Sequence, residues 1–251
     1  MVLSMERWAC KVAVVTGASA GIGAVIAEKL VDSGLEVIGL ARRVDRIEEL
    51  SKKLSGRKGK LHSLKVDIGN TDEILAAFNT IEKKYGPVNI LVNNAGIIQN
   101  TTLIDGDIEK WRKVIDINIM GLCVATREAI SSMKKHGING HIVHINSDLG
   151  HIIPPIPGLN VYPATKYAVT ALTEVLRGEL VRAGSKIKVT SISPGLVKTE
   201  IFAAAGGVDS GIDKAPALNA GDIADAVIYT LSTPPHVQVH EIMVKPLGAA
   251  H

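Results

Sequence analysis

Short runs of Val, Ile and Leu alternate with amphipathic stretches along the whole chain. Lys11–Val15, Glu36–Ala41, Leu61–Val66, Val88–Val92, Gly140–Ile145, Lys186–Ile192 and His240–Val244 read as strands. Several are apolar at successive positions, as strands covered on both faces of a parallel sheet are. Between them, apolar residues recur at helical spacing over Ile22–Ser33, Asp45–Ser55, Asp72–Tyr85, Ile108–His136, Tyr162–Arg182 and Ala220–Leu231. Gly34, Gly86-Pro87 and Gly184 stand where helices stop. The pattern predicts an α/β fold: a single Rossmann-like, doubly wound parallel seven-stranded sheet with helices on both faces. One dinucleotide-binding and catalytic domain is expected over residues 1–251, with a substrate lid at about 199–219. Ligands of such a fold lie at the carboxyl ends of the strands.

Composition narrows the function classes. With 251 residues, 46% of them hydrophobic, the chain can bury one good core. The net charge is only +3 and aromatics make up 3%, so nucleic acid is not an expected partner. Cys10 and Cys123 cannot make a disulfide framework, and the histidines show no metal-ligand spacing. No run approaches the length of a membrane span, and the first ten residues lack the apolar segment of a signal peptide. The expectation is a cytoplasmic protein with no membrane span and no metal, in which the Asn100-Thr-Thr sequon carries no sugar.

Candidate chemistry gathers after the strands. Gly17-x-x-x-Gly21-x-Gly23 falls between the first strand and the first helix. Glycines there let the backbone turn sharply and approach a pyrophosphate, and the helix N-terminus offers free N–H groups. An ordinary strand–helix turn is the plainer reading. The second strand ends in Ala41, Arg42 and Arg43, where an NAD enzyme would carry a carboxylate for the ribose. Two guanidinium groups suit the 2′-phosphate of NADP(H), although two solvated arginines would look the same. Tyr162 and Lys166 are spaced to share one helix face. An adjacent ammonium lowers a phenol pKa from about 10 towards neutrality and makes it a proton-transfer group. The same spacing also fits a solvated helix pair.

Taken in order, Thr16-Gly-Ala-Ser-Ala-Gly-Ile-Gly23, Asp67-Ile68, Asn93-Asn-Ala-Gly96, Asn118 in Ile-Asn-Ile, Ser147 in Ile-Asn-Ser, Tyr162-x-x-x-Lys166 and Pro194-Gly195-x-x-x-Thr199 resemble the short-chain dehydrogenase/reductase superfamily. Met5-Glu-Arg-Trp8 and residues 162–174, 192–195 and 226–234 resemble one subgroup of it. That subgroup holds insect NADP-dependent farnesol dehydrogenases and vertebrate dehydrogenase/reductase family member eleven, a keto-steroid and carbonyl reductase. The resemblance implies that Tyr162 is the general acid/base and that Lys166 binds the nicotinamide ribose and depresses the Tyr162 pKa. It implies that Ser147 bonds the substrate oxygen and that Asn118 holds a water linking Lys166 to solvent. Asp67 would meet the adenine edge, with Ile68 beside it. Asn93, Ala95 and Gly96 would line the cofactor, and Val197 and Thr199 would fix its carboxamide. Gly17, Ser19, Gly21, Ile22, Gly23, Arg42, Arg43, Pro194 and Gly195 complete the implied NADP(H) site. A homodimer or homotetramer is implied as well.

Two departures stand out: Ala20 replaces a second basic residue found in some NADP enzymes, and the loop from Ser147 to Tyr162 is enlarged, with Asp148 of unassigned role. The substrate walls expected from Ile152–Leu159 and Ile201–Val208 are apolar, and Gly206-Gly207 suggests a hinge. These loops could instead only pack down. The expected activity is NADP(H)-dependent interconversion of an apolar alcohol and its aldehyde or ketone, farnesol-like in type. The alternatives are a steroid or carbonyl reductase of the same fold and a module that binds NADP(H) without turnover.

Overall fold

The computed structural model describes residues 3–206 and 215–249. Among them, strands β1 (Val12–Thr16), β2 (Glu36–Ala41), β3 (Lys60–Lys65), β4 (Val88–Asn93), β5 (His141–Ile145), β6 (Lys188–Pro194) and β7 (Glu241–Val244) form one seven-stranded sheet in the order β3-β2-β1-β4-β5-β6-β7. Every neighbouring pair is parallel. The order reverses between β1 and β4, which opens a crevice at their carboxyl ends.

Alternate residues of the strands feed two cores. Ala13 and Val15 face the layer of α1 (Gly21–Asp32) and α8 (Ala220–Ser232), with Ile26, Leu30, Ile223 and Val227. Val12 and Val14 face the opposite layer of α3 (Thr71–Lys84), α5 (Leu122–Lys135) and α6 (Tyr162–Arg182), with Ile74, Ile81, Ala129 and Met133. Both faces are therefore dry, and every residue of β1 and β4 is buried, most of them Val, Ile, Leu or Ala. Asn70 caps α3 by accepting from Asp72 N at 3.0 Å and Glu73 N at 3.3 Å. The helix α2 (Val44–Lys53) follows β2, and a single turn, α7 (Ile201–Ala204), follows β6.

The sequence pattern predicts one continuous helix over Ile108–His136, and the structure corrects this. Helix α4 (Ile108–Ile115) passes through a π-helical turn, Asp116–Gly121, into α5. Two contacts go with the wider turn. A Cβ on Gly121 would lie 2.3 Å from the Ile68 carbonyl oxygen, and Asn118 is buried against the loop after β4. Such turns are frequent at functional sites.

Candidate active site

The crevice holds a cavity of about 380 Å³ that runs from the β1–α1 turn to the start of α6. Gly17, Ser19, Ala20, Gly21 and Ile22 line one side, with Arg42 and Arg43 beyond them, and Tyr162 and Lys166 line the other end. The turn needs its glycines. Gly17 has φ +69°, and a Cβ there would meet Asn94 Nδ2 at 2.9 Å. A Cβ on Gly23 would lie 2.4 Å from Asn94 Nδ2 and 2.5 Å from the Gly17 oxygen. Gly23 thus packs the helix onto the turn and does not line the cavity. No side chain caps the N-terminus of α1, so its first N–H groups are free to bind an anion. Backbone that close to an open cavity, with an uncapped helix start and two guanidinium groups nearby, fits a phosphate-bearing ligand.

Thr16 and Asn94 tie β1 to β4. Thr16 Oγ1 accepts from Asn94 N at 3.0 Å and Ala95 N at 2.9 Å. Asn94 Nδ2 returns bonds to the carbonyls of Thr16 at 2.9 Å and Gly17 at 3.3 Å. Asp67, Ile68, Ala95 and Gly96 line the cavity, and so does Asn94, whereas Asn93 does not. Asn93 points into the core, where its Nδ2 donates to Thr126 Oγ1 at 2.8 Å. Neighbouring side chains on a strand face opposite ways, and two adjacent asparagines gave no sign of which one faced the crevice.

At the far end, Tyr162 opens α6 and Lys166 follows one turn later, both buried. Lys166 Nζ donates to the Ile145 carbonyl at 3.0 Å. Ser147 hydrogen-bonds Tyr162, accepts from Leu149 N at 3.1 Å, and donates to Asp148 Oδ1 at 3.3 Å. Asp148 Oδ2 in turn lies 3.5 Å from Lys245 Nζ. Asn118 takes the Ile97 N–H at 2.9 Å, gives a bond to the Ile97 carbonyl at 3.0 Å, and reaches Thr165 Oγ1 at 3.1 Å. It therefore joins the π turn, the loop after β4 and α6 immediately before Lys166. Thr199 lines the cavity over Gly21, whereas Asn118, Ser147, Pro194, Gly195 and Val197 lie outside its lining.

Without a bound cofactor, burial raises the Tyr162 pKa, Asp148 pushes it the same way, and only the Ser147 hydrogen bond opposes them. Burial also lowers the Lys166 pKa, to about 8. With its Nζ engaged by the Ile145 carbonyl, Lys166 does not offset the desolvation of the phenol, and the desolvation of both groups dominates.

Tyr162 also touches an apolar wall. Ile98, Leu159 and Ala205 bury against it, with Leu149, Ile156, Ile201 and Phe202 packed around them. Ile153 points away, 70% exposed. Gly206 has φ +92°, and the remainder of the expected hinge and wall, Gly207 and Val208, lies outside the described residues.

A family model for short chain dehydrogenases matches residues 11–207. This chain belongs to the short-chain dehydrogenase family. It is 51% identical over 247 residues to a farnesol dehydrogenase of Aedes aegypti, covering 97% of this chain and 99% of that one. It is 45% identical to dehydrogenase/reductase SDR family member 11 of Mus musculus, covering 96% of each. Among solved structures, the closed form of serine dehydrogenase complexed with NADP+ aligns with a TM-score of 0.86 at 32% identity, covering 96% of each chain. An alcohol dehydrogenase of Thermococcus sibiricus complexed with 5-hydroxy-NADP aligns with a TM-score of 0.85 at 26% identity, covering 96% of this chain and 99% of that one. The cavity of this short-chain dehydrogenase is also lined by Lys113 and Gln99, which sequence reasoning did not single out. Lys113 belongs to a charged helix face and Gln99 to an irregular loop, so neither carries a pattern of its own.

Proposed function

We propose that this oxidoreductase interconverts an apolar alcohol and its aldehyde or ketone with NADP(H), and that its substrate is a farnesol-type isoprenoid. The observation that carries the reading is the single cavity joining the glycine turn, Arg42 and Arg43 to Tyr162 and Lys166. Gly17, Ser19, Gly21 and Ile22 would hold the pyrophosphate, Arg42 and Arg43 the 2′-phosphate, Asp67 and Ile68 the adenine, and Lys166 the nicotinamide ribose. When bound, the nicotinamide gives or takes the hydride.

The chain's own residues orient the substrate and manage one proton. Ser147 Oγ holds the substrate oxygen beside Tyr162. The Tyr162 hydroxyl gives its proton to that oxygen in reduction and recovers it in oxidation. A buried phenol whose pKa is raised stays protonated at neutral pH, which suits the donor role. This favours, as a second reading, a carbonyl or keto-steroid reductase. Ile98, Leu159, Ile201 and Phe202 exclude water from the reacting carbon and receive hydrocarbon. Asn118 sets Thr165, and so the turn that carries Lys166.

We also read the chain as one domain and as a cytoplasmic homodimer or homotetramer. Exposed Ile108, Ile115, Met120, Val175 and Val181 along α4, the π turn and α6 support association. The deciding experiment measures oxidation of farnesol with NADP+ by the absorbance of reduced nicotinamide, beside reduction of a keto-steroid with NADPH. Turnover of farnesol supports the first reading and turnover of the steroid alone the second. Binding of NADP(H) with no turnover of any apolar alcohol or ketone refutes both.

A further inference from the structure

Glu200 stands directly after Thr199 and lines the same cavity as Arg42 and Arg43. Its carboxylate takes both oxygens to Arg46 Nη1, at 2.9 Å each, and lies 3.2 Å from Arg43 Nη1. These two hydrogen-bonded guanidinium groups hold its pKa below the usual carboxylate range, so it is ionised. Arg43 is the N-cap residue of α2 and Arg46 lies in its first turn, with no side chain capping the helix. Cations are poorly placed at the positive end of a helix, so the pair calls for an anion. Glu200 supplies one from far along the chain, anchored because Thr199 packs over Gly21. Both arginines and Glu200 are about half exposed, with side-chain exposures of 49%, 41% and 54%. Exposed pairs of this kind are weak. A phosphate dianion presents more charge and more acceptor oxygens to a guanidinium than a carboxylate does.

We propose that Glu200 is an internal competitor for the phosphate-binding arginines, which the 2′-phosphate of the cofactor displaces from Arg43. The inference rests on the NADP(H) reading above and adds a residue that sets cofactor affinity from the opposite side of the cavity. A ligand lacking the 2′-phosphate leaves the Glu200 pairs intact. Glu200 therefore weakens binding only of the 2′-phosphorylated ligand, and it loosens from α2 only when that ligand arrives. The competition also flattens salt dependence, because one ion pair is broken as another forms.

Calorimetric titration of the whole protein with 2′,5′-ADP and with 5′-AMP tests this without turnover. Because Glu200 is exposed, Glu200→Gln leaves the core untouched. The variant is expected to bind 2′,5′-ADP about two- to fivefold more tightly than wild type, the scale of an exposed ion pair. Its affinity for 5′-AMP is expected to be unchanged, and its 2′,5′-ADP affinity to fall more steeply with added salt. Unchanged or weaker 2′,5′-ADP binding, in a wild type that prefers 2′,5′-ADP over 5′-AMP, overturns the competitor role while the cofactor reading survives. A wild type that does not distinguish the two nucleotides overturns both.

Discussion

Lys166 Nζ lies 5.7 Å from the centre of the Tyr162 ring and spends a hydrogen bond on the Ile145 carbonyl rather than on the phenol. Lys166 thus stands over the ring without touching its oxygen. Tyr162→Phe should abolish turnover and leave cofactor affinity nearly intact, since only the ionisable oxygen is lost. Lys166→Ala should weaken cofactor binding and lower the rate with it, since the proposed donor to the nicotinamide ribose is lost. Activity of the Phe variant within tenfold of wild type would remove Tyr162 from the proton transfer.

NADP should be preferred over NAD through Arg42 and Arg43. Loss of one charge-assisted phosphate contact typically costs about 1.5–3 kcal/mol, or roughly 10- to 100-fold. Ala41→Asp combined with Arg42→Ser should shift the ratio of kcat/KM values towards NAD. Equal use of both cofactors by the wild type would sink this prediction.

Gly23→Ala should be costly for a packing reason. The added methyl would come within 2.4 Å of Asn94 Nδ2 and 2.5 Å of the Gly17 oxygen, both fixed by hydrogen bonds. Overpacking of this kind costs about 1–3 kcal/mol. Gly56→Ala is the control, since nothing lies within 4 Å of a Cβ there and only its φ of +83° is penalised. Urea denaturation should show the larger loss for Gly23→Ala, with weakened nucleotide binding in that variant alone.

Acid should unfold the protein earlier than its carboxylates require. His141 and His144 are fully buried, and burial lowers both pKa values from 6.5 to about 3. The folded state keeps them neutral while the unfolded state takes up protons below 6.5. Stability is therefore complete above about 6.5 and falls as pH drops towards 3. Each group removes about 1.4 kcal/mol per pH unit across that window. Lys166 and Lys188 titrate near 8 and contribute no slope there. Urea midpoints at pH 7.5 and 5.5 measure the effect. Imidazole NMR signals assigned to His141 and His144 that titrate above pH 5 in the folded protein would contradict it.

Catalytic efficiency should grow with hydrocarbon length. A buried methylene contributes up to about 0.8 kcal/mol. From a C5 to a C15 prenyl alcohol, kcat/KM should rise and then level off as the wall of Ile98, Leu159, Ile201 and Phe202 is filled. A flat trend, or turnover only of charged or sugar-like substrates, would refute the apolar pocket.

Most strands and helices could be read because their cues are local. Helix α6 begins at Tyr162, where Pro163 pre-sets the first turn, and ends at Arg182 just before Gly184, as the pattern predicts. The π turn at 116–121 was illegible because its companions, the close approach of Gly121 to Ile68 and the partners of Asn118, come from other parts of the chain. The same holds for Glu200, whose partner Arg46 is 154 positions away. Spacing brought Tyr162 and Lys166 together on paper, but the upward shift of the phenol depends on depth of burial, which spacing does not encode.

The knot between Thr16 and Asn94 spans 78 positions of chain. The glycine turn cannot take its final shape until β4 has docked beside β1, so the nucleotide-binding surface is a late product of folding. Closing so long a loop is slow relative to helix formation. During refolding, helical signal should therefore return before nucleotide affinity does, and the amide protons of Asn94 and Ala95 should be among the last to gain protection.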